Sequence, residues 1–471
     1  MIDGLKPYPE YKESDVPWLG QIPLHWAVRR MKYVLREKDA RSTEGKEQLL
    51  RVSQYTGVTQ RLRAENSKAP DTRAESLVGY KKVQPGELVI NIMLAWNGSL
   101  GVSRYTGIAS PAYCVYRFGN ETHPWYFHYL LRTPIYKGRI KSVSTGVVES
   151  RLRLYSDNLY RLESLVPSPD EQAAIVKFLD HATRRLNRAI RAKQKVIALL
   201  NEQKQVIIHR AVTRGLDPDV PLKPSGISLL GYIPKHWEVT SLRRYWQVVD
   251  CKHLTVPFSE EGFPLASVVE VQSFYLNLSR CKKTTSDWYR VLIEGGRKPK
   301  RGDIIYCRNV SVGASAFVDT DLDFAMGQDV CLIRSNNQNQ RFLNYLLRSQ
   351  FMAHQLELLL VGSTFKRINI SEIKSLLVIV PPIKEQNKIC RHIDSAIAEF
   401  DALITSTERQ ITLLQEFRTR LIADVVTGKL DVREAARRIP DETEEIEPDM
   451  ESIEAIEEEL QESETMGEAY G

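Results

Sequence analysis

Two long segments of the chain place mostly apolar residues at alternating intervals of four and three positions. The repeating positions of the first segment are Leu179, Thr183, Leu186, Ile190, Lys193, Ile197, Leu200, Lys204, Ile207 and Ala211. Those of the second segment are Ile393, Ile397, Phe400, Ile404, Thr407, Ile411, Leu414, Arg418, Leu421 and Val425. A mean period of 3.5 residues is typical of a coiled-coil seam. The pattern predicts two helices of about 44 residues, each about 66 Å long at the rise of an α-helix.

Residues that favour helix ends flank both segments. Pro169 and Pro382 stand near the start, and proline is tolerated in the first turn of a helix. Gly215 and Gly428 stand after the last seam positions, where glycine commonly ends a helix. The two segments therefore have matching predicted ends as well as matching seams.

The similarity between the two segments extends beyond the helices. The motif V-P-x-x-x-E-Q occurs at 166–172 and again, 214 residues later, at 380–386. The motif L-G-x-I-P-x-H-W occurs at 19–26 and 230–237. The chain is therefore a tandem duplication, and each half contains a globular block followed by a long helix.

Each long helix would expose too much apolar surface alone, so we expect the two helices to pack on each other. If a pseudo-two-fold axis relates the halves and crosses the pair, the helices run antiparallel, and Lys193 and Thr407 lie close to the axis. Polar seam residues of this kind often fix the register. A parallel pair, with both globular blocks at one end, stays open, as do two helices in separate bundles.

The globular blocks contain short apolar runs typical of strands, at 87–90, 113–116, 303–306 and 330–333. Short landmarks match between the blocks (97–101 with 309–313, and 129–132 with 345–348), while the segments between them diverge. These patterns predict an α+β protein in which two α/β domains are separated by two long antiparallel coiled-coil helices, as a pseudo-two-fold tandem repeat. The predicted order is an N-terminal segment at 1–26 that echoes 224–237, a block at 27–165, a helix at 166–216, a linker at 217–237, a block at 238–380, a helix at 381–431, and an acidic, disordered tail at 432–471.

The net charge of +6 conceals an uneven distribution. Residues 441–471 contain 14 acidic residues and no Lys or Arg, which leaves 65 basic and 45 acidic residues in 1–440, a net charge of +20. A body this basic favours a polyanionic partner such as nucleic acid. The six cysteines form no C-x-x-C pair, and no run approaches the roughly 18 apolar residues of a membrane span. With no signal peptide at the N-terminus, these features predict a cytoplasmic protein without a membrane segment, a zinc cage or a disulfide framework.

Basic and amide side chains occur in the segments where the two blocks diverge. Arginine and lysine suit phosphate and guanine, whereas asparagine and glutamine can bond to adenine edges. For each residue alone, a solvated surface charge is the simpler interpretation, and the two asparagines can equally shape a turn. The candidates for DNA contact are Arg51, Gln54, Lys81, Lys82, Asn97, Ser99, Arg104, Arg139, Lys141, Arg151, Arg153, Lys252, Gln272, Lys282, Lys283, Arg297, Lys298, Lys300, Arg308, Asn309, Ser311, Lys366 and Arg367.

Motifs for catalysis are not found in the sequence. There is no phosphate-binding G-x-x-x-x-G-K-[ST] loop and no G-x-G-x-x-G after a strand. Val380-Pro381-Pro382-Ile383 lacks the side-chain oxygen and the aromatic ring that an amino-methyltransferase motif needs to hold a flipped base. His25 and His236 recur beside tryptophan, which favours a packing role. The sequence predicts a protein that binds and does not catalyse, with no catalytic residue and no metal site.

The repeated motif pairs resemble those of the specificity subunits of type I restriction-modification systems, the HsdS family. The resemblance covers residues 14 to about 431. It implies that each variable block is a target recognition domain for one half of a split, asymmetric double-stranded DNA site, and that the helices set the spacer. It also implies that two methyltransferase subunits dock on the scaffold and methylate adenine N6, and that two ATP-dependent restriction subunits can join them. S-adenosylmethionine, ATP and Mg are expected on those partners, and no cofactor on this chain.

Three other interpretations stay open at this point. The chain could serve a methylation-only or other defence complex without a nuclease, which copurifying subunits would reveal. A self-contained DNA-modifying enzyme would need motifs that the sequence lacks. A coiled-coil scaffold that does not touch DNA would show no salt-sensitive DNA affinity.

Overall fold

A computed structural model describes residues 5–61, 76–148, 151–228, 230–360 and 367–440. The chain divides into two compact units. Unit 1 contains residues up to 192 and from 410 onward, and unit 2 contains residues 193–409. Each long helix is therefore shared, because one part belongs to each unit.

Unit 1 is built around a four-stranded antiparallel sheet with the strand order β4-β11-β8-β9. Three strand pairs, β1-β2, β3-β12 and β5-β6, and a fourth pair, β7-β10, surround it. The strands are β1 (Tyr11–Glu13), β2 (Gln21–Pro23), β3 (Ala27–Arg30), β4 (Leu35–Lys38), β5 (Leu50–Ser53), β6 (Gly57–Gln60), β7 (Lys81–Val83), β8 (Leu88–Asn91), β9 (Leu100–Val102), β10 (Gly107–Ala109), β11 (Tyr113–Phe118) and β12 (Glu163–Val166).

Short helices cover the sheet of unit 1, and two long helices complete its core. The short helices are α1 (Pro124–Leu131), α2 (Pro134–Val143) and α3 (Ser156–Arg161), and the long ones are α4 (Pro169–Arg214) and α9 (Ile383–Val426). One apolar cluster joins Ile90 of the sheet, Phe127 of α1, Leu179 of α4 and Val425 of α9. The sheet and the helix pair of unit 1 thus share a single core.

The long helices run antiparallel within unit 1. The hydroxyl of Tyr126 donates to the carbonyl of Leu165, just before α4, and to that of Val426, the last residue of α9, both at 3.2 Å. Further along, Arg418 of α9 donates to the Asn187 side chain of α4 at 2.6 Å. The start of one helix therefore faces the end of the other.

The end of the described chain packs against its beginning in unit 1. Lys6 forms a β-bridge with Asp431, and the ordered helix α10 (Arg433–Arg437) buries Ala436 in the core. The predicted disordered tail at 432–471 was therefore placed too early, because the apolar residues at 432–439 pack before the acidic stretch begins. Residues 441–471 lie outside the described residues.

Unit 2 repeats the four-stranded sheet as β16-β22-β19-β20, again antiparallel throughout. The pairs β13-β14 and β15-β23 match β1-β2 and β3-β12, and unit 2 also has a three-stranded sheet, β18-β17-β21. The strands are β13 (Leu222–Pro224), β14 (Tyr232–Pro234), β15 (Glu238–Ser241), β16 (Gln247–Asp250), β17 (Phe263–Ala266), β18 (Lys283–Thr284), β19 (Ile304–Cys307), β20 (Ser315–Phe317), β21 (Ala325–Met326), β22 (Val330–Arg334) and β23 (Leu377–Val380).

The helices of unit 2 also form an antiparallel long pair. Lys204 of α4 pairs with Asp401 of α9, and Trp237 contacts both Gly215, at the end of α4, and Glu385, at the start of α9. The short helices are α5 (Ser286–Ile293), α6 (Gln340–Leu347), α7 (Gln350–Leu360) and α8 (Ile370–Ser375).

The predicted fold class is confirmed. The antiparallel alternative is the one observed inside each unit, and Gly215 and Gly428 end the helices with φ near +79°. The other proposed domain boundaries, and the position of Lys193 and Thr407 at a two-fold axis, stay predictions. In unit 2 Thr407 is buried and its hydroxyl donates to the Leu403 carbonyl at 2.7 Å.

Seam positions pack unevenly along the two helices. In unit 1 Leu179, Leu186, Ile190, Leu421 and Val425 are buried, and in unit 2 Ile393 and Ala211 are. The other apolar seam residues are half-buried. Toward the end of α4 the buried isoleucine is Ile208 and not the predicted Ile207, because Ile208 joins the core around Trp237.

Candidate nucleic-acid interface

The L-G-x-I-P-x-H-W motif at 19–26 contacts the V-P-x-x-x-E-Q motif at 166–172 at the start of α4. Nε2 of His25 lies 2.8 Å from Oε2 of Glu171, and the hydroxyl of Tyr8 donates to Oε1 of the same carboxylate at 2.7 Å. Only 3% of the Glu171 side chain is exposed, and the guanidinium of Arg433 lies 4.0 Å from it. Burial, and then the hydrogen bond to Glu171, raise the pKa of Tyr8, so the hydroxyl remains a donor. The two motifs recur together because they bind each other.

Unit 2 repeats this junction with less burial. Nε2 of His236 lies 2.8 Å from Oε2 of Glu385, and the indole N–H of Trp237 donates to the same oxygen at 2.9 Å. The Glu385 side chain is 29% exposed. In unit 1 the matching indole N–H, that of Trp26, is buried without a partner among the described residues. The two junctions share a histidine–glutamate contact and differ in what surrounds it.

A buried glutamine follows each of these glutamates and ties its helix to the globular block. The main-chain N–H of His123 donates to Oε1 of Gln172, whose Nε2 donates to the Pro167 carbonyl, both at 2.8 Å. In unit 2 the N–H of Asn339 donates to Gln386 at 2.9 Å, and Gln386 donates to the Pro381 carbonyl at 2.8 Å. The glutamine at this motif position thus makes equivalent hydrogen bonds in both units.

A tyrosine in each block adds a second tie to the long helix. The hydroxyl of Tyr129 donates to Asp180 of α4, and that of Tyr345 donates to Asp394 of α9, each at 2.6 Å. Burial is the main cause that raises the pKa of both phenols. The frame that holds each block on its helix is therefore duplicated in detail.

The arginine three residues after this tyrosine anchors the variable loops of unit 1. Arg132 is half-buried, and its guanidinium donates five hydrogen bonds to main-chain carbonyls on two different loops. The acceptors are Ser53 (3.4 Å), Gln54 (2.9 Å), Tyr55 (2.8 Å), Gly98 (3.2 Å) and Leu100 (2.7 Å). A planar group with five fixed donors suits this task.

Arg348 has the matching role in unit 2. It donates to the carbonyls of Gln272 (3.0 Å), Ser273 (3.2 Å) and Ser315 (2.6 Å), and burial lowers its pKa. Each arginine ties the first residue of β9 or β20, in the central sheet, to a loop outside that sheet. The sequence showed them only as part of a matching landmark, and their function as loop anchors was missed.

The loops after β8 and β19 each contain an asparagine whose side chain accepts hydrogen bonds within the loop. In unit 1, Oδ1 of Asn97 accepts from the N–H and hydroxyl of Ser99, and Gly98 has a φ of +100°. In unit 2, Oδ1 of Asn309 accepts from the N–H of Val310, which has a φ of +61°. The asparagines therefore shape turns.

Three side chains at the end of β16 have the chemistry of metal ligands. Asp250, Cys251 and His253 place one ligand atom each within 4.8 Å of one another. However, the buried guanidinium of Arg308 pairs with Asp250 and lies 3.2 Å from Nε2 of His253. Burial raises the pKa of the Cys251 thiol, which donates to the Gln328 carbonyl at 2.8 Å. A cation at this position would face the arginine, so the group is better explained as a support for Arg308.

Many predicted DNA-contacting residues of unit 1 have partners inside the unit. Lys81 is buried, with Nζ 3.6 Å from Asp39 and 3.8 Å from Glu37, and Ser99 is also buried. Others form an ion pair, a hydrogen bond or a ring contact at the surface: Arg51 with Thr59, Lys82 with Glu47, Arg104 over Trp125, Arg139 with Glu163 and Trp18, and Lys141 over Trp96. The main-chain carbonyl of Gln54 accepts a hydrogen bond from Arg132.

The predicted residues of unit 2 divide in the same way. Partners within the unit hold Lys252 (Glu294), Gln272 (Val268 carbonyl), Lys282 (over Phe258), Arg297 (Asp250 and Glu294 carbonyls), Lys298 (Asp323) and Arg308 (Asp250). Ser311 is half-buried in its turn, and Lys366 lies outside the described residues.

Five candidates are exposed cations whose side chains make no hydrogen bond or ion pair with the part of the chain that the structure describes. They are Arg151 and Arg153 in unit 1, and Lys283, Lys300 and Arg367 in unit 2. To contact a phosphate, none of these side chains would have to leave such a partner. Contact of any of these residues with DNA stays a prediction.

No helix among the described residues combines the length and apolar character needed to cross a membrane.

Comparison with known proteins gives consistent matches. The profile of the type I restriction modification DNA specificity domain (Methylase_S) matches residues 270–413. The chain is 22% identical over 372 residues to the type I restriction enzyme MjaVIII specificity subunit of Methanocaldococcus jannaschii, covering 75% of this chain and 83% of the relative. It is 23% identical over 453 residues to the MjaIX specificity subunit of the same organism, covering 90% and 97%.

The fold is also shared with a solved structure described as "Structural basis underlying complex assembly and conformational transition of the type I R-M system". The TM-score is 0.63 at 15% identity, over 87% of this chain and 99% of that chain. The duplicated frame, the profile and the relatives agree: over most of its length the chain is similar to the specificity subunits of type I restriction-modification systems.

Proposed function

We propose that this chain is the DNA sequence-specificity subunit of a type I restriction-modification complex, in which unit 1 and unit 2 each read one half of a split, asymmetric site. The observation that carries the proposal is the contrast between frame and loops. The ties at Gln172 and Gln386 and the loop anchors Arg132 and Arg348 recur, while the loops that those arginines hold differ in sequence. A constant frame with variable loops supports two unequal recognition surfaces.

The long helices supply the second part of the proposal. Each unit contains a section of α4 and a section of α9, so the length of both helices sets where the two units lie along a DNA duplex. We propose that the duplicated helix pair also presents two equivalent docking sites for methyltransferase subunits, with restriction subunits added where the complex cleaves DNA. Methyl transfer to adenine N6 would belong to those partners, with S-adenosylmethionine, ATP and Mg bound there.

An insertion in both helices tests whether their length sets the spacer of the DNA site. Four residues added after Ala192 and four after Arg409 lengthen each helix by about 6 Å, the length of about two base pairs. We expect the spacer of the methylated site to lengthen while both half-sites stay unchanged, as read by single-molecule mapping of methylated adenine in cells. An unchanged spacer, or altered half-sites, would contradict the proposal.

A domain exchange is the matched experiment for the recognition surfaces. Replacing residues 27–165 by the corresponding block of another family member should change one half-site only, and replacing 238–380 should change the other. The reciprocal exchanges control for each other, because both retain the helices. A complex that lacks a restriction subunit would favour the methylation-only alternative, and copurification from the native host distinguishes the two.

A further inference from the structure

Two strained residues lie at one end of the central sheet of unit 2, each shortly after a strand. Among the described residues, positive φ values outside glycine occur at Asp15, His253 and Val310. His253 follows β16 and Val310 follows β19, and both flank the buried Arg308. A β-branched residue with positive φ is a true outlier, because its side chain crowds the backbone. Strain of this kind persists only where surrounding contacts impose it.

The duplicated unit shows what the loop requires. Asn91 bonds to Ser99 as Cys307 bonds to Ala314, so Gly98, with a φ of +100°, corresponds in the structure to Gly313, with a φ of +93°. Glycine reaches this conformation without strain. The turn that the two units share is therefore made by glycine in both, and the positive φ of Val310 is additional to it.

The loop is fixed at both ends, so Val310 cannot relax. Gly313 donates to the Cys307 carbonyl at 3.2 Å, and the N–H of Cys307 donates to the Ala314 carbonyl at 2.8 Å. Asn309 forms a β-bridge with Arg367, and Ile368 donates to the Arg308 carbonyl at 2.9 Å. The structure thus holds one apolar side chain rigidly in an unfavourable conformation.

Burial does not compensate for the strain. The Val310 residue is 71% exposed. Its neighbour Asn309 forms a β-bridge with Arg367, which is exposed and whose side chain makes no hydrogen bond or ion pair among the described residues. A rigid methyl pair in a loop that is bridged to an exposed cation matches a base edge that carries a methyl group near a phosphate or a guanine. In the major groove that methyl group belongs to thymine, and apolar side chains read it by contact.

We propose that Val310 is a specificity-determining residue that contacts the C5-methyl group of a thymine in the half-site read by unit 2, with Arg367 on an adjacent phosphate or guanine. The inference rests on the proposed function. It requires a thymine, on either strand, in that half-site.

Replacement of thymine by uracil, which removes only the methyl group, provides the test. After methylation mapping has defined the site, binding of the chain assembled with its methyltransferase subunits is measured on duplexes with one uracil at each thymine position. We expect one position at which the wild type loses about fourfold in affinity, the effect of burying one methyl group. Val310→Asn keeps the side-chain size and tolerates positive φ, but we expect it to bind thymine and uracil equally at that position.

Val269→Asn, at another valine of unit 2 that is 49% exposed, is the matched control and should retain the discrimination. Val310→Asn and Val310→Gly should melt at the same or a higher temperature than the wild type, which separates lost recognition from lost folding. Discrimination that survives in Val310→Asn, a half-site without thymine, or a defect only in assembly with the methyltransferase would overturn the inference while the proposed function stands. A complex with no sequence-specific site at all would overturn both.

Discussion

The junction at the start of α4 and the one at the start of α9 show how the two units came to differ. Both contain a histidine–glutamate contact of 2.8 Å and a fully buried glutamine that bonds to two main-chain groups at matching positions. Around Glu171, however, Tyr8 and Arg433 come from the two ends of the described chain, whereas Glu385 has Trp237 and solvent. Contacts that orient a globular block on its helix are preserved, and what surrounds them has changed.

The comparison predicts unequal costs for the same substitution. Glu171→Ala leaves Tyr8 and His25 around a buried space without their acceptor, so we expect a loss of about 3 kcal/mol in the free energy of unfolding. Glu385→Ala removes a contact that solvent can partly replace, and we expect about 1 kcal/mol. Urea denaturation of both variants measures the two values. Equal costs would show that the additional partners of Glu171 contribute nothing.

A second difference makes the stability of unit 1 depend on pH. Nδ1 of His128 accepts a hydrogen bond from the N–H of Val102 at 3.1 Å, which requires that nitrogen to be unprotonated. Burial, and then the charges of Arg132 and Arg104, hold the pKa of His128 well below its usual value. The matching residue in unit 2 is Asn344, which cannot titrate and donates to the Phe274 carbonyl.

Below the unfolded pKa of about 6.5, the unfolded chain binds a proton that folded His128 excludes. Stability is therefore present above that pH and falls below it, by at most about 1.4 kcal/mol per pH unit. His128→Asn should lower stability at pH 7.5 but remove this part of the pH dependence. Unfolding free energies of both proteins at pH 7.5 and 5.0 test this, and an unchanged difference between the two pH values would count against it.

The sequence predicted the features of this molecule that repeat locally. The seam period, the terminal glycines and the motif pairs predicted the two helices and their duplication, because each signal lies within a few turns of chain. It did not predict ion pairs that form across the sheet, such as Arg308 with Asp250, 58 residues apart. It also did not show that Lys81, a candidate for DNA contact, is buried beside acidic residues that come from another part of the chain. The Val310 strain was missed because only backbone geometry shows it.

The smallest expected effect concerns charge on the two long helices. Arg185, Arg188 and Arg191 of α4 are exposed on one helical face and make no hydrogen bond or ion pair within the described chain. The positions 214 residues later, on α9, are Glu399, Ala402 and Thr405. If the arginines contact DNA phosphates, replacing all three with glutamine should reduce the salt dependence of binding, with a slope lower by up to about 2.7, and leave the methylated sequence unchanged.

The matched variant places the same three arginines on α9, by Glu399→Arg, Ala402→Arg and Thr405→Arg. An increase in the salt slope there would show that the corresponding face of α9 also lies within reach of DNA. The difference in DNA contact between the two helices would then come only from their residue types. A slope that falls in the α4 variant and does not rise in the α9 variant would instead locate the asymmetry in the position of the DNA. An α4 variant with an unchanged slope and an intact target site would show that phosphate contact is confined to the globular blocks.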